Sequence, residues 1–229
     1  MDAKLRRARE AGLVVHAGFI VGFDNDDERV FEEQFRFIQL NGIGMAGVSI
    51  LSPIPTTPLY DRLAREGRLV PEDDVWFEPK LMSREILKRG YANLNQRLYA
   101  PEAFFERIFT GNEASPVFRK RRREMDARRK RGTFDGLIGI YITLAIMWRL
   151  SLALAREGLL GTVGRAYMKA YIKYNKPLGR EALGLAQFLP LCARHWHYYK
   201  ISGVAWGGAG TLRPLKAQSE PKAVRELVA

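Results

Sequence analysis

LVVHAGFIVGFDNDDERVFEEQFRFIQLNGIGMAGVSIL, residues 13–51, sets the architecture of the N-terminal region. Leu13 to Val21 is an apolar run rich in Val and Ile, which reads as a strand buried on both faces. Asp24-Asn25-Asp26-Asp27-Glu28 follows, with Asn25 and Glu28 at capping-box spacing. The next segment places Phe31, Phe35 and Ile38 on one helical stripe and stops at Asn41-Gly42. Residues 45–51, MAGVSIL, form a second buried-type strand. Strand, helix and strand in this span make a βαβ unit, with parallel strands and a right-handed crossover.

Working outward, Pro53, Pro55 and Pro58 forbid regular structure until a new helix begins. Thr57 is the candidate N-cap, Pro58 the first helical residue and Gly67 the stop. Residues 68–80 read as a loop holding Trp76, Phe77 and Pro79. From Ser83 onward the period is helical. Ser83 and Pro101 mark helix starts, Gly111-Asn112, Gly132 and Gly161 candidate breaks, and Pro177 and Pro190 ends or kinks. Residues 207–229 carry little apolar pattern and read as a loose tail. The expected organisation is therefore an α/β part over 1–80, an all-α part over 81–206 and the tail.

Two stretches carry a family resemblance: AGLVVHAGFIVGFD at 11–24 and LSPIPTTPLYDRLAREGRL at 51–69. The first resembles the fifth-strand region of a radical S-adenosylmethionine (SAM) barrel. The second resembles its sixth-strand exit, usually P-G-T-P-L-Y before a helix ending in E-G-R. WFEP at 76–79 and GYANLNQRLYAPEAF at 90–104 match more loosely. The pattern is similar to cobalamin-binding-domain radical SAM proteins with a helical C-terminal domain of unknown function, a family that includes enzymes methylating hopanoid lipids. The resemblance implies a partial radical SAM barrel, an incomplete TIM-like barrel, followed by an all-α C-terminal domain. It also implies that Gly18, Ile20 and Gly22, in the pattern G-x-I-x-G-x-x-E, lie beside SAM. Glycines let a backbone approach a flat ligand and the residue between packs on it; the competing reading is tight strand–helix packing. Asn25 replaces the final Glu, and Thr56 stands where the family has Gly. If position 56 needs φ > 0, Thr is badly suited.

Radical SAM chemistry needs three thiolates, C-x-x-x-C-x-x-C, to hold a [4Fe–4S] cluster whose electron cleaves SAM. Cys192 is the only cysteine. The chain is thus expected to be the C-terminal part of a larger enzyme, inactive alone, with a missing N-terminal half as partner. SAM, the cluster and possible cobalamin would belong to the parent enzyme, and no residue here is assigned a catalytic role. Residues 1–10 run on without an apolar leader, so a cytoplasmic protein is expected.

Other motifs are weaker. His16 lies mid-strand and reads as a core or barrel-lining histidine. His195 and His197 stand two apart, about 200° round a helix, and cannot chelate one ion together. The acidic run 24–28 lacks calcium-loop spacing and is explained by helix-start electrostatics.

The net charge of +12 is uneven, −3 over residues 1–118 and +15 over 119–229. Nine of the thirteen residues 119–131, RKRRREMDARRKR, are basic, and 136–148, GLIGIYITLAIMW, has no charge. Thirteen residues make about 20 Å of helix, short of a ~30 Å bilayer core, so spanning is not expected. Two readings stand: the central helix of a small bundle, or peripheral contact of residues 119–148 with an anionic membrane. Nucleic-acid binding is a lesser option. It would suit an RNA-modifying methylthiotransferase, though such enzymes usually end in a β-barrel. A non-enzymatic basic helical module is the remaining alternative.

With one cysteine, the purified chain should hold no stoichiometric cluster after anaerobic reconstitution with iron and sulfide. Visible absorption near one [4Fe–4S] per chain that survives Cys192→Ala would contradict this.

Overall fold

The computed structural model describes residues 2–70, 73, 75–129 and 133–201; the expected break at Gly132 and the tail at 207–229 lie outside the described residues. Helix α1 (Asp2–Glu10) leads into strand β1 (His16–Val21), helix α2 (Arg29–Leu40) and strand β2 (Met45–Ile50). The strands pair in parallel, in a register from His16↔Met45 to Val21↔Ile50. β1 starts three residues later than its apolar run. Leu13 N–H closes α1 on the Ala8 carbonyl at 3.0 Å, and Gly12 turns at φ +76°.

Among the described residues, the sheet is covered on one face, not two. Val21 and Ala46 are fully buried on the side facing α2, and Phe19 meets Phe37 edge-on. His16, Gly18, Ile20, Gly47 and Ser49 alternate onto the other face and are exposed. His16 is accordingly not a core histidine. Nor does the expected capping box form, since Glu28 makes no side-chain cap. Asp27 Oδ1 instead accepts from Arg29 N–H at 2.9 Å, and Asp26 Oδ2 accepts from Gly22 and Phe23 N–H.

Beyond β2, Ile54 to Thr57 closes a turn with Pro55 second and Thr56 third, and Thr57 N–H reaches the Ile54 carbonyl. Thr56 takes φ +70°, the one positive φ at a non-glycine among the described residues. A turn with positive φ at its third residue normally takes glycine there. Thr57 then caps α3 (Pro58–Arg65), and Gly67 ends it at φ +65°. Within the 68–80 loop, Leu69 and Phe77 form an isolated antiparallel bridge, with Val75 and Phe77 buried beneath it.

The regular structure described past residue 80 is all helical: α4 (Arg84–Leu98) capped by Ser83, α5 (Pro101–Gly111), α6 (Pro116–Arg129), α7 (Thr133–Arg156), α8 (Leu160–Ala170) and α9 (Leu185–Ile201). α8 runs on through a π turn and a 3₁₀ turn to Glu181. Gly161 lies inside α8; the break falls at Gly158, φ +69°. Pro190 sits within α9. α7 is 24 residues long, not thirteen, and its apolar N-terminal stretch is exposed, so it is not the centre of a bundle.

One buried cluster runs from Val21 to Cys192 and joins sheet to helices across residue 80. α4 packs on both α2 and β2; a side chain at Gly90 would overlap the Phe31 ring. Tyr99, just past α4, donates its hydroxyl to the Ala46 carbonyl on β2 at 2.6 Å. His195 Nε2–H donates to the Tyr99 carbonyl at 2.9 Å, which fixes the neutral tautomer with Nδ1 as acceptor for the Tyr167 hydroxyl at 2.8 Å. Arg107, wholly buried, donates to Gln39 on α2 and to the Leu98 carbonyl at the end of α4.

Burial pushes the His195 pKa down from 6.5 to about 4. The fold therefore favours the neutral imidazole: its contribution is complete above pH 6.5 and is lost as pH falls towards 4. At about 1.4 kcal/mol per pH unit, the loss should reach about 3 kcal/mol in urea unfolding. His195→Gln should flatten that part of the pH profile. A second expectation concerns Thr56. Left-handed backbone costs a β-branched residue roughly 1–2 kcal/mol, so Thr56→Gly should raise unfolding stability by about 1 kcal/mol; an unchanged or lower midpoint would argue against strain there.

Candidate functional site

The uncovered sheet face is the only surface on which sequence-selected residues converge, among the described residues. Gly18 and Ile20 both present to it, Ile20 at 43% exposure, and the register sets Gly18 beside Gly47 and Ile20 beside Ser49. A Cβ added at Gly18 or Gly47 would meet nothing within 4 Å. The two glycines leave a bare strip of backbone that a planar group can approach, with Ile20 as an apolar neighbour. Gly22 differs. It turns at φ +103°, and a Cβ there would meet Leu87 and Phe77 at 3.1 Å, so packing and backbone conformation account for this glycine.

Past the C-terminal end of β1 lies a charged cluster. Asp24 is bound by Arg62 of α3, by Arg68 at 3.0 Å and by Lys80 at 3.4 Å. Burial alone would raise its pKa; the hydrogen bonds from Arg62, Arg68 and Lys80 overcome that and hold it at about 2. Arg68 also pairs with Glu66 at 2.7 Å. The E-G-R segment 66–68 thus ties the helix after β2 to the loop after β1, with Gly67 giving the turn that brings Arg68 back. Asn25 is exposed, and the anchored acid is its neighbour Asp24. Helix-start electrostatics does not describe Asp24. Its partners Arg62, Arg68 and Lys80 lie far downstream in the chain, beyond the reach of local pattern reading.

The remaining candidates separate. His195 is buried and His197 exposed, on opposite sides of α9. No group of three His, Cys, Asp or Glu among the described residues could hold a metal ion. Cys192 is buried and burial pushes its thiol up, away from the thiolate that iron requires. These residues do not fit an iron–sulfur cluster. The bare backbone strip at Gly18 and Gly47 leaves open space for a flat group.

A protein-family model for a domain of unknown function, DUF4070, matches residues 57–205. Hopanoid C-2 methylase of Rhodopseudomonas palustris is 34% identical over 107 residues, which is 45% of this chain and 20% of that protein. Bacteriochlorophyllide d C-12(1)-methyltransferase of Chlorobaculum tepidum is 31% identical over 112 residues, 47% of this chain and 25% of that protein. Anaerobic magnesium-protoporphyrin IX monomethyl ester cyclase of Cereibacter sphaeroides is 30% identical over 112 residues, 47% of this chain and 18% of that protein. The matched region thus spans a quarter or less of these relatives. No solved structure matches. Because the family model covers well over half of it, the chain belongs to the DUF4070 family, a domain found in cobalamin-binding radical SAM proteins.

Proposed function

We propose that this chain is the C-terminal part of a radical SAM enzyme of the methylase type, and that β1 and β2 complete a barrel whose other strands and cluster ligands lie outside this sequence. The observation that carries the reading is the uncovered face of a parallel sheet. Parallel strands are normally covered on both faces, and here the open one bears Gly18, Gly47 and Ile20. On this reading that face looks into the barrel, SAM adenine lies along Gly18 and Ile20, and His16 lines the interior. The cluster, bound elsewhere, supplies the electron that cleaves SAM. The residues of this chain contribute an apolar, side-chain-poor wall. The Asp24–Arg62–Arg68–Lys80 cluster holds the strand ends in place around it.

Cobalamin-dependent methylation of a lipid-like substrate, in a cytoplasmic enzyme, is the finer form of the proposal. Methylation and the lipid-like substrate draw on the names of two matched relatives, a hopanoid methylase and a bacteriochlorophyllide methyltransferase, and cobalamin on the DUF4070 family. The RNA-directed alternative gains no support: no strand is described after residue 80, where a terminal β-barrel would be needed.

The test is a chimera joining the cluster-bearing N-terminal portion of the Rhodopseudomonas palustris relative to this chain. The reconstituted chimera should form 5′-deoxyadenosine from SAM. Gly18→Leu should lower SAM affinity at least tenfold without changing the unfolding midpoint, because a Cβ at Gly18 meets nothing within 4 Å. A cluster-loaded Gly18→Leu chimera that binds SAM normally would remove the adenine from this face.

A further inference from the structure

Between Leu137 and Trp148, α7 shows eight large apolar side chains to solvent, Tyr141 at 73% and Trp148 at 70% exposure. At 100° per residue they cover roughly 220° of the circumference. The helix is held by a narrow opposite stripe, with Leu150 and Leu154 buried where it packs on α8 and α9. A helix that docks on one protein groove needs an apolar stripe of about 100°. A wider arc suits a medium that wraps the helix. The segment Leu137–Arg156 is long and apolar enough to cross a membrane by length and composition, and 11% of it is buried.

Charge flanks this stretch on both sides. Before it come Lys120 and Arg121, both exposed on α6, and the sequence Arg128-Arg129-Lys130-Arg131; after it comes Arg149, also exposed. Other cations of the run are used within the protein. Arg119 and Arg123 pair with Glu181, and Arg122 pairs with the buried Glu113. The cations left exposed are the ones available to an anionic surface. Standing upright, residues 137–148 would carry one cationic end about 18 Å deep, past the middle of a ~30 Å hydrocarbon core. Lying flat, the helix keeps both ends at headgroup level. Trp148 beside Arg149 places an aromatic–cation pair at the edge of the apolar run, the arrangement found at membrane interfaces.

We propose that α7 is an in-plane membrane anchor: residues 137–148 lie at the headgroup–acyl boundary of an anionic bilayer, with the exposed Lys120 and Arg121 of α6 and Arg149 on the lipid headgroups. The proposal is independent of the radical SAM reading, and its test needs no cluster and no SAM.

The full chain is mixed with vesicles of phosphatidylcholine alone, or with about one third phosphatidylglycerol, and sedimented. It should sediment with the anionic vesicles, and less with the neutral ones. The fluorescence difference between the chain and Trp148→Phe should shift blue on binding and be quenched by lipids brominated near the headgroup. Leu137→Gln/Ile140→Gln/Leu144→Gln, at exposed sites and with a helix-compatible residue, should cut partitioning at least tenfold with an unchanged unfolding midpoint. Lys120→Gln/Arg121→Gln should reduce the salt-sensitive part of binding several-fold. Should the triple variant unfold, the Trp148 quenching and the double variant decide alone. The proposal fails if the chain ignores anionic vesicles at low salt, if Trp148 is not quenched, or if the folded triple variant binds as well as the parent. It also fails if α7 instead pairs two copies, seen as a dimer that the triple variant disperses without vesicle binding, or if the chain binds RNA tightly while ignoring vesicles.

Discussion

Tyr99 is bonded at both ends, its hydroxyl to the β2 carbonyl of Ala46 and its carbonyl to His195 of α9. Through it the short sheet and the last described helix share one buried polar path, extended by Tyr167 to α8. Each group is in an apolar surround, with Phe104 and Phe105 against the imidazole, so an unmade bond there would leave a buried polar atom without water. This ties the tautomer of His195 to the position of β2. It also explains how a two-stranded sheet, marginal by itself, holds its register: its covered face is clamped by a helical domain that makes up most of the chain.

The clamp works from one side, and the uncovered side follows from that. α2 and α4 stand on the face of Ala17, Phe19 and Val21, leaving His16, Gly18, Ile20, Gly47 and Ser49 on the other. The Asp24 cluster serves the same wall from its end, joining the loop after β1 to the helix after β2 with charges that do not need the core. The rim and the back of the sheet are therefore held by packing and charge, while its front exposes bare backbone at Gly18 and Gly47.

The basic half of the chain divides in the same manner between scaffold and surface. Glu181, at the end of the 3₁₀ turn, gathers Arg119 and Arg123 and accepts from Arg122 through its carbonyl, and Gln187 of α9 bonds Asp126. These contacts fasten α6 to the helical domain. Neutralising Arg122 would strand Glu113, whose carboxyl burial already raises in pKa against the pull of Arg122; the residue belongs to the fold. Lys120 and Arg121 carry no such duty among the described contacts.

The βαβ unit, the Thr57–Pro58 and Ser83 helix starts and the Gly67 stop were legible from sequence because each rests on neighbours within a few residues: periodicity, a capping hydroxyl, a fixed φ, a missing Cβ. The demand for positive φ at Thr56 was legible too, from a glycine expected and absent. The Gly18–Ile20 pair could be singled out, but not that Gly22 belongs to packing, because Phe77 and Leu87 come from fifty residues away or more. One-sided burial of the sheet, the capture of Asp24 by Arg62 and Arg68, and the burial of His195 were likewise decided by tertiary structure. So was the exposure of α7. An uncharged run of thirteen residues reads equally as core or as membrane-facing surface, since hydropathy records what a helix avoids and not what stands beside it; only the packing of Leu150 and Leu154, and the lack of any described neighbour over the wide arc of Leu137 to Trp148, separates the two.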